Sequence, residues 1–389
     1  MVGQLGFWVS FIAMQALMAE LTDSDGFWLG LLFFVSFVPS LVFTPIAGVV
    51  ADRVDRQRIL VVGYLGIVAL MSVMAIVTFG DHMTPSIMLP FAGTLGVIFA
   101  FNAPASQAMT ANTVPAADVA SAVSLNSVGG NLARVVGPTI AAPVVAIWNE
   151  GVAFAIYAIA SLVVVLRLRR LRLTPFEREA AIGGLWWRMR GGWHHAKERP
   201  PAVAALSLLC MSSLFAGAYL SVLPVLADDA FDRGPRGFTV LAAMTGLGSM
   251  FGALTTGFRE GAPTMRSAGA LVVGFGTTMM LLAVAPSWPV ALLVVAVLGY
   301  FYFWAMTSLN ALLQHLAADS HRGRLMSLFH IGWAGLVPIG ALWQGAAITA
   351  IGVRPTVALA GAITTAYAAV VALQGVRSTY TRSSETRVG

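Results

Sequence analysis

The sequence predicts an all-α integral membrane protein with twelve transmembrane helices in two six-helix halves. Three observations carry that reading. Hydrophobic residues make up 58% of the 389 and charged residues 10%, against norms of roughly 45–50% and about 25%. A soluble chain of this length cannot cover its surface with 23 basic and 17 acidic side chains. Twelve apolar runs are long enough to cross a hydrocarbon layer of about 30 Å, and the second six repeat features of the first six.

The runs fall at 2–21, 27–50, 59–79, 87–112, 121–147, 152–167, 202–227, 238–258, 268–285, 289–313, 325–348 and 355–375. Many carry proline, such as Pro39, Pro104, Pro138 and Pro338. Membrane helices tolerate proline because neighbouring helices re-satisfy the freed backbone groups. Alternating ten-residue segments, the mark of a membrane β-barrel, do not occur. Met1 opens directly on an apolar span, with no Lys or Arg before Arg53. The charged leader of a signal peptide is therefore missing, and the first span reads as one that lost its opening turns or starts upstream.

Orientation follows from arginine. Nineteen of the 23 basic residues fall in one set of loops and tails, three (Arg233, Arg236, Arg354) in the opposite set, and Arg134 inside a span. The positive-inside rule puts the rich set, and with it both termini, in the cytoplasm. The pI near 10 is then a matter of topology, and no nucleic-acid partner is expected. Expected partners are a small-molecule substrate and membrane lipids, with the proton as coupling ion, for a monomer in the cell membrane.

Residues 1–166 form the expected N-terminal half, 167–201 a cytoplasmic linker, 202–375 the C-terminal half and 376–389 a tail. The linker's Trp186, Trp187 and Trp193 among Arg188, Arg190 and Lys197 suggest a helix lying on the anionic inner leaflet; a solvated connector is the alternative. A shift of 203 residues pairs Leu95-Gly96 with Leu298-Gly299, Ser124-Leu125 with Ser327-Leu328, Gly129 with Gly332 and Gly137 with Gly340. Six-helix halves related by an axis along the membrane normal are one known transporter plan.

After span 2 the chain reads Gly48-Val-Val-Ala-Asp52-Arg53-Val-Asp55-Arg56-Gln57-Arg58. This resembles the loop 2–3 signature of the major facilitator superfamily, G-x-x-x-D-R-x-G-R-R, with Asp55 in place of the second glycine and Gln57 in place of a basic residue. Glu20-Leu21-Thr22, Leu132-Ala-Arg134-Val-Val-Gly137-Pro138 and Arg322-Gly323-Arg324 resemble the branch that contains the enterobactin exporter and drug-efflux proteins. The resemblance implies a latch in which the Asp52 carboxylate meets the positive N-terminal end of span 11, near Gly323-Arg324. It also implies a cavity lined by spans 1, 4, 5, 7, 8, 10 and 11.

Arg134 is the one basic residue at mid-membrane depth, where a charge costs at least about 2.5–3.5 kcal/mol and marks a pathway by default. It either faces substrate or pins the helix beside the Gly137-Pro138 bend. Gln15, Asn102, Asn131, Tyr302, Trp304 and Trp333 are the other cavity candidates; aromatic faces with few charges suit an amphipathic organic molecule. For proton coupling no acid sits at a span centre. Candidates are Glu20, with an expected partly buried flank, the pair Asp228-Asp229, and His330, whose side-chain type titrates near neutral pH.

Other signals fail. Cys210 is the one cysteine, which excludes an internal disulfide. His194-His195 lacks partners at metal spacing, so no metal is expected. Gly246-Leu-Gly248 with Gly252 sits in a span instead of after a strand, and no P-loop occurs, so no nucleotide cofactor is expected. Convergent catalytic groups are lacking too, so the chain is not read as an enzyme. The sequence therefore reads as a secondary transporter, an exporter of drug-like or siderophore-like molecules. An importer or metabolite facilitator, a non-transporting sensor and a lipid flippase are the alternatives.

Overall fold

The computed structural model describes residues 2–111, 119–171, 193–194, 196–258, 261–317 and 322–385, and among these it is all helix, turn and loop. Thirteen helices follow in order: α1 Val2–Leu21, α2 Gly26–Arg53, α3 Arg56–Phe79, α4 Pro85–Ala111, α5 Val119–Ile147, α6 Glu150–Arg170, α7 Pro200–Phe215, α8 Tyr219–Asp229, α9 Gly234–Phe258, α10 Met265–Ala283, α11 Trp288–Leu316, α12 Arg322–Ile351 and α13 Val353–Glu385. Among the described residues, eleven stretches, with α7 and α8 counted together, are long and apolar enough to cross a membrane; within α5 the apolar stretch is the shorter Val136–Ile147. The eleven fall on eleven of the expected runs, and α5 as a whole covers the remaining one. Val62 and Ile76, on α3, are each 69% exposed, an apolar surface that suits lipid and not water.

Polar caps place the helix ends. Asp25 receives the amides of Phe27 and Trp28 at the start of α2, Asn149 that of Val152 at the start of α6, and Thr264 forms a capping box with Ser267 on α10. Such caps satisfy orphan donors and contribute about 0.5–2 kcal/mol each. Arg354, on the Arg-poor side, donates to the carbonyls of Ala283 (2.9 Å), the last residue of α10, and of Ala285 (3.0 Å) just beyond it. Its position there is a capping matter.

Two compact units emerge. Unit 1 takes Met1–Ile182 with Leu223–Gly246; unit 2 takes Gly183–Val222 with Leu247–Gly389. In unit 1, α1 packs on α5, α2 on α4 and α3 on α6; in unit 2, α7 packs on α12 and α10 on α13, while Gly248 and Gly252 of α9 lie against the backbone of Ala296 and Tyr300 in α11. The second set of pairings is the first moved on by six spans. The repeat positions sit at these contacts. Gly137 on α5 lies against Trp8 of α1, and its counterpart Gly340 on α12 lies against the carbonyl of Leu214 on α7. A side chain at either glycine would keep the paired helices apart. Gly248 and Gly252, part of the weak resemblance to a nucleotide fingerprint, serve helix contact in the same way.

Span 7 departs from the expected continuous run 202–227. It breaks at 216–218, where the chain forms a turn between α7 and α8. The carbonyls of Leu214 and Phe215, freed by the break, accept from Trp343 Nε1 at 2.7 Å and Gln344 Nε2 at 2.6 Å. The last helix differs as well, since α13 runs to Glu385, well into the expected tail. Of the expected interfacial helix, 172–192 and His195 lie outside the described residues. Near its end Lys197 sits over the Trp193 ring at 5.5 Å, and Arg199 Nη1 donates to the carbonyl of Leu316.

Gly248→Ile is expected to destabilise the protein by about 1–3 kcal/mol through overpacking, because the obstacle is the Ala296 backbone, which cannot rotate away. Thermal unfolding in detergent, read as a melting temperature several degrees lower, checks this.

Candidate functional site

In unit 2 four helices converge on Tyr302. Trp333 Nε1 on α12 donates to the Tyr302 hydroxyl at 3.2 Å. The Tyr302 ring packs at 5.2 Å against Tyr219 of α8 and at 5.3 Å against Phe275 of α10. Tyr302 is 9% exposed, so its hydroxyl needs a partner, and Trp333 supplies it. Two predicted cavity residues are thus brought together. Trp304 is not one of this group. It meets Tyr300, one turn back along α11, edge to face at 5.3 Å, and its indole N–H is buried without a partner.

In unit 1 Gln15 is fully buried, and neither amide atom has a hydrogen-bond partner. Asn102 lies against Gly63 of α3, with its side-chain oxygen likewise unpartnered. One turn before Gln15 begins an aromatic cluster that the sequence reading missed. Phe7, Trp8 and Phe11 of α1, Phe33 and Phe37 of α2 and Phe99 of α4 lie with centroids 4.5 to 6.3 Å apart. Its signal was in the spacing: 7, 8 and 11 share a helix face, as do 33 and 37. The side chains of Asn131 and Arg134, both carried by α5, lie outside the described residues.

The loop motif gains a structural account for its two departures. Asp55 caps α3, accepting from the Gln57 amide at 2.8 Å. Gln57 Nε2 donates to the carbonyls of Leu168 (2.5 Å) and Leu171 (3.2 Å) at the end of α6. A glycine at 55 or a cation at 57 makes neither pattern in the same way. Arg58 lies 3.9 Å from Asp55, both exposed, a pair worth about 0–1 kcal/mol. Arg53 is exposed and Arg56 half-buried. A side chain on Gly48 would meet nothing within 4 Å. The side chains of Asp52, Arg322 and Arg324 lie outside the described residues; α12 starts at Arg322 and so carries Gly323 in its first turn.

Among the titratable candidates, Glu20 is itself exposed, although Met18 and Ala19 beside it are buried and Leu21 is half-buried. His330 is exposed, with Nδ1 2.8 Å from the Met326 carbonyl of its own helix. Asp229 is exposed, whereas Asp228 is half-buried and accepts from Ser24 Oγ at 2.6 Å. Ser24, another residue missed in the sequence, is 3% exposed. It follows Asp23 in a turn where both take left-handed φ values, +48° and +60°, a conformation costing a non-glycine residue about 1–2 kcal/mol. Glu150, also missed, is 8% exposed at the start of α6, within electrostatic reach of Glu20.

A family model described as transmembrane secretion effector matches residues 1–387. The staphyloferrin A transporter of Staphylococcus aureus is 23% identical over 366 residues, covering 92% of this chain and 89% of the relative. Macrolide efflux protein A of Streptococcus pyogenes is 23% identical, covering 91% and 89%, and multidrug efflux pump Tap of Mycolicibacterium fortuitum 26%, covering 82% and 80%. The solved nucleoside transporter NupG aligns with TM-score 0.71 at 13% identity, covering 97% of this chain and 96% of that one. A bacterial homologue of the lysosomal transporter Spinster gives 0.70 at 13%, covering 96% and 95%; both show the fold alone. Fold and relatives define the class as a multi-pass membrane transporter. The chain belongs to the transmembrane secretion effector family, within the major facilitator superfamily.

Two substitutions separate structure from transport in the loop. Gln57→Ala is expected to lower stability by about 0.5–1.5 kcal/mol, the net worth of a hydrogen bond, seen in thermal unfolding. Gly48→Ala meets no neighbour and lies inside α2, so a melting temperature equal or slightly higher, by the about 0.5–1 kcal/mol that alanine gains over glycine in a helix, is expected together with slower transport in vesicles; unchanged transport removes Gly48 from the working loop.

Proposed function

We propose that this transporter exports small amphipathic molecules of drug-like or siderophore-like character across the cell membrane, driven by protons through alternating access. The observation that carries the substrate class is the set of relatives, named as a staphyloferrin A transporter, a macrolide efflux protein and a multidrug efflux pump. The half-buried Trp333, held by the buried Tyr302 hydroxyl, adds an aromatic face of the kind that holds an apolar body. Export is supported by the names of the relatives, two of them called efflux proteins. The 19-to-3 division of basic residues supports cytoplasmic termini. The halves 1–166 and 202–375, joined by the linker 167–201, are the proposed moving parts of a monomer, surrounded by lipid.

Arg134 selects charge in this reading. Arg134→Ala weakens binding of anionic amphipaths at least tenfold and leaves cationic ones within about twofold, the scale of one charge contact of about 1.4 kcal/mol or more. Equal losses in a binding assay with both classes make Arg134 a structural pin.

For coupling, Asp228 has the strongest support, since it alone of Glu20, Asp228 and Asp229 is both shielded and held by a neighbouring hydroxyl. In vesicles with an imposed pH gradient, Asp228→Asn abolishes uphill accumulation of substrate while exchange at equal concentrations continues. Glu20→Gln accumulates as the parent does. Accumulation that survives Asp228→Asn with the parent's pH dependence removes Asp228 from the proton path, and accumulation indifferent to a protonophore removes proton coupling altogether.

A further inference from the structure

The break in span 7 leaves oxygen lone pairs with nothing to fill them. At the end of α7, the Ser212 carbonyl accepts from the amides of Ala216 (3.0 Å) and Gly217 (2.7 Å). Trp343 Nε1 and Gln344 Nε2 hold the next freed carbonyls, those of Leu214 and Phe215. Two side-chain oxygens at this junction remain. Ser213 Oγ and Gln344 Oε1 are buried without a hydrogen-bond partner, in residues 1% and 0% exposed. They belong to one junction, because the Ser213 carbonyl faces Gly340, one turn before Gln344 on α12, and Gln344 itself is bonded two residues beyond Ser213. Ser212 shows the ordinary solution for a helical serine, turning back to the carbonyls of Leu208 (2.6 Å) and Leu209 (3.1 Å). Ser213 does not take it.

The Gln344 amide cannot be reversed, since its oxygen would then face the Phe215 carbonyl. With Gln344 Nε2 and Trp343 Nε1 bonded to the freed carbonyls, Gln344 Oε1 offers lone pairs alone, and Ser213 Oγ offers two lone pairs with a hydroxyl proton that can turn away from a cation; each orphan costs about 1–3 kcal/mol. Near-complete burial leaves no room for an organic substrate. The C-terminal end of α7 adds a partial negative charge of about half an electron, and ends of broken helices with unwound carbonyls are where transporters hold monovalent cations. We propose that the break in span 7 binds a sodium-sized monovalent cation through Ser213 Oγ, Gln344 Oε1 and carbonyl oxygens of the last turn of α7. The ligands are neutral oxygens, so binding is weak, in the millimolar range. The site is independent of the proton path and of the direction of transport.

The test reads binding without transport. Purified protein in lipid nanodiscs is titrated with NaCl replacing choline chloride at constant ionic strength, and thermal unfolding and tryptophan fluorescence are followed. Sodium is expected to raise the melting temperature saturably, as a ligand specific for the folded state must, and to change the emission that Trp343→Phe removes. Ser213→Ala moves the sodium midpoint at least tenfold higher, and Ser213→Thr, which keeps the hydroxyl, restores it. If Ser213→Ala does not fold, Ser213→Cys serves instead; it keeps the size of the side chain, replaces the hydroxyl oxygen by a soft sulfur that holds sodium poorly, and moves the midpoint at least tenfold higher. Equal responses to sodium and choline, or a midpoint unmoved in these variants, overturn the proposal and leave a buried water between the two oxygens.

Discussion

The middle of a membrane span has no water to offer a freed carbonyl, and every irregular backbone group there must be met from within the protein. Span 7 makes the consequence visible. Its break frees the carbonyls of Leu214 and Phe215, and α12 answers with Trp343 and Gln344. That answer requires the two helices to be close, which Gly340 allows by presenting no side chain to Leu214. A glycine, an indole and an amide within about one turn of one helix are thus explained by one discontinuity in another. The same requirement makes the two oxygens left over, on Ser213 and Gln344, stand out as unfinished.

Close approach through glycine also accounts for the internal repeat. Gly137 and Gly340 are 203 residues apart and each lies where the fifth span of its half meets the first. Gly96 lies against Ser36 in unit 1, and at the equivalent contact in unit 2 Ser249 Oγ donates to the carbonyl of its counterpart Gly299 at 3.2 Å. Lipid supplies little hydrophobic drive between helices, so packing of backbone on backbone contributes much of the association. The residues that permit it are the ones that remain alike between the halves.

The loop after span 2 shows how a signature can carry local structure along with function. Asp55 and Gln57, the two positions that depart from the family pattern, cap α3 and hold the end of α6. The departures therefore fasten the third and sixth spans of unit 1 to one another at the Arg-rich side, next to the Gly48–Arg53 stretch whose side chains include the proposed latch residue Asp52. Ser24, in a strained turn on the opposite side, reaches Asp228 across 204 residues of sequence, a contact that no local pattern announces.

What the sequence determined by itself was set by solvent and length. Composition excluded water as the surrounding medium, run length located the spans, and the spacing Gly48–Arg58 pointed to the superfamily. These are local or additive properties, readable one segment at a time. The tertiary structure decided what depends on two segments meeting. It paired Trp333 with Tyr302 and left Trp304 apart, because 302 and 304 point from different sides of α11. It left Glu20 exposed and gave Asp228 its shield through Ser24. It broke span 7 at 216–218, although the apolar run continues through those residues, because α12 supplies the donors that make the break affordable; hydropathy sums over a segment and cannot register a partner 129 residues away.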